Sequence, residues 1–356
     1  MKIGVFTQPL RCNYGGILQN YAIQVVLKRL GHEPWTIDYF YFSWFQWCVI
    51  FAKYIVAKII GRKTRMPLTL FQLRKVEEPL RKFVFHYIQL TTPRVKSPTK
   101  RILEKHNFDV LLVGSDQTWR PRYNHNIYDM YLKLAENMNV KRLAYAASFG
   151  TDKWEYTNKQ EAECARLVKL FNGISVREVS GVHLCKEYLK VEATHVLDPV
   201  LLLSSEDYNN LCGHIEKRSP FVFAYILDVD ERKVQQVKYF ASSKNLPYLI
   251  VSANVEVSDN DSIEAWLANF RDAVYVITDS FHGTAFAIIF KKDFFVYGNV
   301  NRGNTRFDSL LTTFNLKHRM VTDVSDAVQS IEWDEVNLVL NSERNRSVEW
   351  LNSKLH

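Results

Sequence analysis

The chain has 356 residues, 47% of them apolar, with 22 Phe, 18 Tyr and 8 Trp, a load that excludes disorder and, at this length, predicts two domains. Five cysteines, Cys12, Cys48, Cys164, Cys185 and Cys212, are odd in number and form no C-x-x-C pair, which argues against a disulfide framework and a thiolate zinc site and suits a reducing compartment. The net charge of +8 is unevenly placed: residues 40–105 hold 14 Lys or Arg against three acids, a block of +11 that leaves the remainder at −3.

Residues 2–7 read as a buried strand, and the chain begins without the charged, apolar and small-residue sections of a secretion signal, so a cytoplasmic protein is expected. Asn13-Tyr14-Gly15-Gly16 opens a helix over about 17–30, closed by Gly31, and residues 34–39 form a second strand. Residues 39–60 contain almost nothing polar except Ser43, Gln46, Lys53 and Lys58, which share one sector of a helix. Two lysines within that stretch argue against a membrane span, and Gly61-Arg62-Lys63-Thr64-Arg65 follows directly. Two readings fit: a helix lying in the headgroup layer with residues 39–65 against the membrane, or a core helix wrapped by its domain. The aromatics run into aliphatics instead of alternating with basic residues, so no nucleic acid is expected as a partner.

Beyond this insertion, short apolar strands are predicted at 108–113, 142–147 and 174–177, with a linker after 195–199. A second set follows: strands at 221–227, 248–251, 273–278 and 294–297, and helices at 231–245, 262–270 and 285–290. Strand-helix alternation in two blocks predicts an α/β protein of two Rossmann-like, doubly wound sheets, with ligands at the carboxyl ends of the strands. The expected domains are 1–200, carrying the insertion at about 40–105, and 201–330, with an amphipathic C-terminal helix (331–356) packing back across one of them.

The most informative segment is Ser280-Phe281-His282-Gly283-Thr284, where a strand gives way to a helix. Such a junction offers unpaired N–H groups, a positive dipole end and a titratable imidazole together, or else merely a helix cap with a packed histidine. Other strand ends carry polar groups. Asn13, Gly15, Gly16 and Gln19 follow the first strand without making a GxGxxG fingerprint. Ser115, Asp116 and Gln117 follow the third, with Asp116 either a proton-accepting group or an Asx turn. Arg177 ends its strand as a guanidinium able to grip a carboxylate, or as a salt bridge to Glu178. Arg302 and Arg306 supply two more cations, or a solvated loop.

NYGGILQNYAIQ (13–24), GSDQTW (114–119), YAASFG (145–150), SVRE followed by SGVHLCK (175–186), HVLDPVLLL (195–203) and TDSFHGTAFAIIF (278–290), in this order, resemble the polysaccharide pyruvyl transferase family. Arg120 departs from it, since the family more often has Asn after that tryptophan. The resemblance implies a GT-B-like pair of domains and transfer of an enolpyruvyl unit from phosphoenolpyruvate to a sugar, giving a pyruvate ketal and phosphate. It implies no cofactor or metal, phosphoenolpyruvate being a co-substrate. His282, Arg177 and Asp116 are then the catalytic candidates. Ser280, Gly283, Thr284, Arg302 and Arg306 would bind the donor, its phosphate on the Gly283 and Thr284 amides. Asn13, Gly15, Gly16, Gln19, Ser115 and Gln117 would face the acceptor, expected to be a lipid-linked, undecaprenyl-diphosphate sugar at the inner face of the cell membrane. A nucleotide-sugar glycosyltransferase, a non-catalytic component of polysaccharide assembly and a nucleic-acid-binding protein are the competing functions.

Overall fold

The computed structural model describes residues 1–41, 44–61, 66–252, 261–298, 304–324 and 329–356. Among these residues, eleven strands form two sheets. The first contains β1 (Lys2–Phe6), β2 (Glu33–Thr36), β3 (Val110–Val113), β4 (Lys141–Ala147), β5 (Gly173–Val176) and β6 (Thr194–His195) in the order β2-β1-β3-β4-β5-β6. The second contains β7 (Val222–Ile226), β8 (Tyr248–Ser252), β9 (Tyr275–Thr278), β10 (Asp293–Tyr297) and β11 (Met320–Val321) in the order β11-β10-β9-β7-β8. Every pairing is parallel. Strands such as Val110-Leu111-Leu112-Val113 and Val222-Phe223-Ala224-Tyr225-Ile226 are buried along their whole length, because helices cover both faces of a parallel sheet. The two doubly wound sheets agree with the expected α/β class.

Several boundaries differ from expectation. The helix expected at 285–290 runs over Phe281–Ile289, since Ser280 caps it and draws the motif into the first turn. The first helix likewise starts earlier, at Tyr14, on the Asn13 cap. The expected linker is a packed junction: Asp198 caps the short 3₁₀ turn Pro199–Leu202, whose four residues are all buried. The helix Trp333–Leu355 packs on this junction and the first domain, where Ser347 Oγ accepts from Leu197 N at 3.0 Å and Arg344 donates to the carbonyls of Leu201 and Leu203.

One continuous apolar core joins the domains. Tyr14 from the first domain stacks on Trp266 at 5.1 Å and meets Tyr225 edge-on, while its hydroxyl donates to the carbonyl of Asp261.

The helix Trp44–Ile59 is not a core helix. Trp47, Phe51 and Tyr54 are partly covered, with Trp47 stacked on Phe51 and donating Nε1–H to Leu68 O at 2.9 Å. Trp44, Phe45, Ile50, Val56 and Ile59 are all more than half exposed. Ser43 and residues 62–65 lie outside the described residues, as does the side chain of Gln46. No helix among the described residues is long and apolar enough to cross a membrane.

Candidate active site

In a doubly wound sheet, the crevice opens where neighbouring strands send their chains to opposite faces. In the first sheet that point lies between β1 and β3, and in the second between β7 and β9. The loops leaving all four strands converge on a cavity of about 230 Å³. Cys12, Asn13, Gly15, Asp116 and Gln117 line it from the first domain, and Tyr225, Leu227, Asp279, Ser280, Phe281, His282 and Arg306 from the second.

His282 sits in the first turn of Phe281–Ile289 and is 6% exposed. Its ring lies directly against the backbone of Gly15, where an added Cβ would come within 2.0 Å of Nδ1, so only glycine admits the imidazole there. Nε2 is buried, 3.8 Å from Asp198 Oδ2, and has no hydrogen-bond partner among the described residues. Burial pushes the His282 pKa below its usual value; Asp198 and Asp116 oppose this, while Arg177 and Arg306 add to it. Neutral imidazole, the form able to accept a proton, is therefore favoured.

The cap geometry reassigns the backbone donors. Ser280 Oγ accepts from Gly283 N at 3.3 Å and Ser280 O from Thr284 N at 2.9 Å, so the two amides expected to hold phosphate are already bonded. The unsatisfied donors of this turn among the described residues are the amides of Phe281 and His282, both cavity-lining residues. Gly283 serves packing instead: a Cβ there would meet Thr278 Oγ1 at 2.3 Å. Thr284 is fully buried and its hydroxyl donates to Ser280 O.

Arg177 also differs from expectation. It is 4% exposed and donates Nη1–H to Asp198 at 2.8 Å and Nη2–H to Ser148 Oγ at 3.1 Å, with Asp116 and Glu178 each at 3.9 Å. With its fork spent on Asp198 and Ser148, it does not present a bidentate face to a ligand. Burial works against its charge, yet Asp198, Asp116 and Glu178 outweigh that and raise its pKa. Among the described residues, the arginine that lines the cavity is Arg306, on the helix Thr305–Thr313. Burial and then Arg177 push its pKa down to about 10, which leaves it charged at neutral pH. Both guanidinium groups approach the Phe281 ring, Arg177 at 4.4 Å and Arg306 at 6.0 Å from its centroid. Arg302 lies outside the described residues.

Among the first-domain candidates, Asn13 caps its helix through Oδ1 and donates Nδ2–H to Asp116 Oδ2 at 3.1 Å. Gly16 packs beside both of these side chains. Asp116 adopts φ of 72°, a left-handed conformation that aims its carboxylate into the cavity. Gln117 lines the cavity and is fixed by Arg120, which donates to Gln117 Oε1 at 2.9 Å and forks onto Glu155 at 2.8 Å. The family departure at Arg120 thus has a local role. Gln19 and Ser115 are interior: Gln19 donates to Thr7 Oγ1 and Gly16 O, and Ser115 to Asp198 Oδ2. Neither reaches the cavity.

Sequence reasoning missed Asp198 as a separate candidate, although HVLDP contains it. It is the hub of the buried network, accepting from Arg177, Ser115 and Val200 N and facing His282. Burial opposes charge on Asp198, but Arg177, His282 and its hydrogen bonds prevail and hold it below the usual aspartate range. Asp279 was also missed; it accepts from the amides of Leu227 and Asp228 and from Lys233 Nζ, fixing the loop after β7 against the motif. Burial and then Glu77 push the Cys12 thiol up to about 11, which disfavours its thiolate form.

Comparison with solved structures finds distant likenesses across nearly the whole chain. A UDP-GlcNAc 2-epimerase from Methanocaldococcus jannaschii is 12% identical, with 97% of this chain and 93% of that one covered and a TM-score of 0.45. A putative UDP-N-acetylglucosamine 2-epimerase from Listeria monocytogenes is 10% identical, with 99% and 90% covered and a TM-score of 0.46. The wall teichoic acid polymerase TagF is 9% identical, with 99% and 82% covered and a TM-score of 0.43. No curated protein matches the chain. The family model described as polysaccharide pyruvyl transferase matches residues 13–301, which take in all six motif blocks and the cavity residues from Asn13 to His282. The chain belongs to the polysaccharide pyruvyl transferase family.

Proposed function

We propose that the protein transfers the enolpyruvyl unit of phosphoenolpyruvate to two hydroxyls of a sugar, forming a pyruvate ketal and releasing phosphate. The observation that carries this is His282: a buried, neutral-leaning imidazole with Nε2 unpartnered among the described residues, at a helix N-terminus in an interdomain cavity beside Arg306. The donor's phosphate suits the Phe281 and His282 amides at the positive helix end, and Arg306 offers positive charge for its carboxylate or phosphate.

Protonation of the donor's methylene carbon makes C2 electrophilic. A first sugar hydroxyl adds to C2, and His282 takes its proton as general base. The C2–O bond to phosphate then breaks, with the electron pair leaving on phosphate, and the second hydroxyl closes the ketal. Of the two hydroxyl protons, one balances the proton placed on carbon and the other leaves with phosphate. Asp198, 3.8 Å from Nε2, would stabilise the imidazolium formed in between, while Arg177 keeps Asp198 ionised. Arg177 is in this reading a positioning residue. Asn13, Asp116 and Gln117 face the side from which a sugar would enter.

For the acceptor we propose a membrane-borne, lipid-linked glycan, met at the inner face of the cell membrane. The exposed apolar side of Trp44–Ile59 supports this, beside the basic block of the same insertion.

The direct test is phosphate release from phosphoenolpyruvate in the presence of a panel of cell-surface oligosaccharides, with mass spectrometry of the glycans for the ketal. His282→Ala is expected to lower release by about 100-fold or more without unfolding the protein. Turnover close to wild type in that variant would remove His282 from the chemistry.

A further inference from the structure

A cavity larger than the catalytic one also opens among the described residues. It is a groove of about 1040 Å³ on the first domain, along the helix Leu70–Tyr87. Its rim combines two exposed phenyl rings, Phe71 at 79% and Phe85 at 69%, with the exposed charged side chains of Arg74, Lys75 and Glu78.

The floor is ionic. Arg81 forks onto Asp38 at 3.1 and 2.8 Å, and Arg11 pairs with Glu77. Each buried acid therefore has an arginine of its own. Arg94 is a further cation over the same two acids, its Nε 3.4 Å from Asp38 and its Nη1 3.5 Å from Glu77. Its Nη2 is buried without a hydrogen-bond partner among the described residues. Burial and the neighbouring Arg81 both disfavour its charge, a cost that a bound anion would relieve. An anionic head with a hydrocarbon tail matches this combination of an Arg94 Nη2 without a hydrogen-bond partner among the described residues and two exposed phenyl rings, of which Phe85 also packs on Arg81.

The floor also leads to the catalytic cavity. Arg81 Nη1 donates to Leu10 O at 3.5 Å and Arg11 reaches Glu77, while the next two residues, Cys12 and Asn13, line the cavity with His282. Groove and cavity are thus two sides of the segment 10–13. The helix Trp44–Ile59 adjoins the N-terminal end of Leu70–Tyr87, through the Trp47 bond to Leu68 next to that helix's cap.

We propose that this groove seats the carrier end of a lipid-linked acceptor, with its phosphate on Arg94, its first hydrocarbon units along Phe71 and Phe85, and its sugar directed past Cys12 and Asn13 toward His282. The proposal rests on the membrane-borne acceptor inferred above. Acids at the floor disfavour a nucleic-acid strand, which needs an uninterrupted row of cations.

The test is sedimentation of the full chain with phosphatidylcholine vesicles, undoped or doped with either a long-chain prenyl diphosphate or phosphatidylglycerol. The prenyl diphosphate is expected to raise binding above both other vesicles. Arg94→Gln is expected to reduce that increment about tenfold, the effect of one charge-assisted hydrogen bond. Phe71→Ser, at an exposed site that contributes little to folding, is expected to reduce it as well, with the melting temperature preserved. The proposal is overturned if both variants keep the wild-type increment, or if phosphatidylglycerol produces the same increment, which would mark a general basic membrane patch. Binding is read without turnover. A wild-type protein that gains binding from the prenyl diphosphate in this Arg94-dependent way, yet releases no phosphate from phosphoenolpyruvate, supports the groove while defeating the reading of the reaction.

Discussion

His282 is held below the 6.5 of a free imidazole, chiefly by burial. Between its folded pKa and 6.5 the unfolded chain binds a proton that the native chain refuses, so this residue's contribution to stability falls as the pH drops through that window. If it is the base, the same depression places the acid limb of kcat/KM below 6.5. Of its neighbours Asp198 raises the imidazole's pKa most, so Asp198→Asn should move that limb further to the acid side. It should also cost about 3 kcal/mol in urea unfolding, because Arg177 stays buried without its closest carboxylate. A pH–rate profile with an unmoved limb in Asp198→Asn would show that the two groups are not coupled.

At the scale of elements, Trp44–Ile59 is sparsely covered, with no buried side chain among its described residues. A helix whose Trp47, Phe51 and Tyr54 are partly covered while Trp44, Phe45 and Ile59 face outward has more apolar surface than its domain can use. Burying a large apolar side chain contributes about 1.5 kcal/mol or more, so the combined change Trp44→Ser, Phe45→Ser and Ile59→Ser is expected to lower partition onto vesicles by at least about 100-fold. The melting temperature should change little, since these side chains contribute little to the core. Unchanged vesicle binding would show that this helix does not meet the membrane. The strand-to-helix corner at Ser280 shows the opposite case, a short element whose register is fixed by its cap. The sequence placed the right residues there, but it could not tell which amides the Ser280 side chain and carbonyl would already occupy.

In the whole molecule, the interdomain contact is part of the core. Tyr14, Tyr225 and Trp266 belong to one apolar cluster that spans both sheets, and the junction Pro199–Leu202 is buried within it. Calorimetry should therefore show one cooperative unfolding transition, and Trp266→Ala should lower stability by about 3–5 kcal/mol. Two resolved transitions in the wild-type chain would contradict this picture. The close contact of His282 with Gly15 has the same origin, since it requires the two domains to meet at a fixed distance.

The sequence by itself determined the elements and their class. Buried parallel strands are continuous apolar runs, helix caps have short-range signatures, and strand-helix alternation leaves few topologies open. It also marked His282, Asn13, Asp116, Gln117, Ser280 and Arg306, because polar residues at the carboxyl ends of such strands converge on a crevice. Only the tertiary structure decided where the cations and amides lie. Arg177 faces Asp198, a partner 21 residues away, and Arg306 lines the cavity instead. The same holds for Gln19 and Ser115, drawn inward by Thr7 and Asp198, and for the exposure of Trp44–Ile59. Local pattern fixes what a residue can do, whereas the partners that satisfy its charge or cover its surface come from distant parts of the chain brought together by packing.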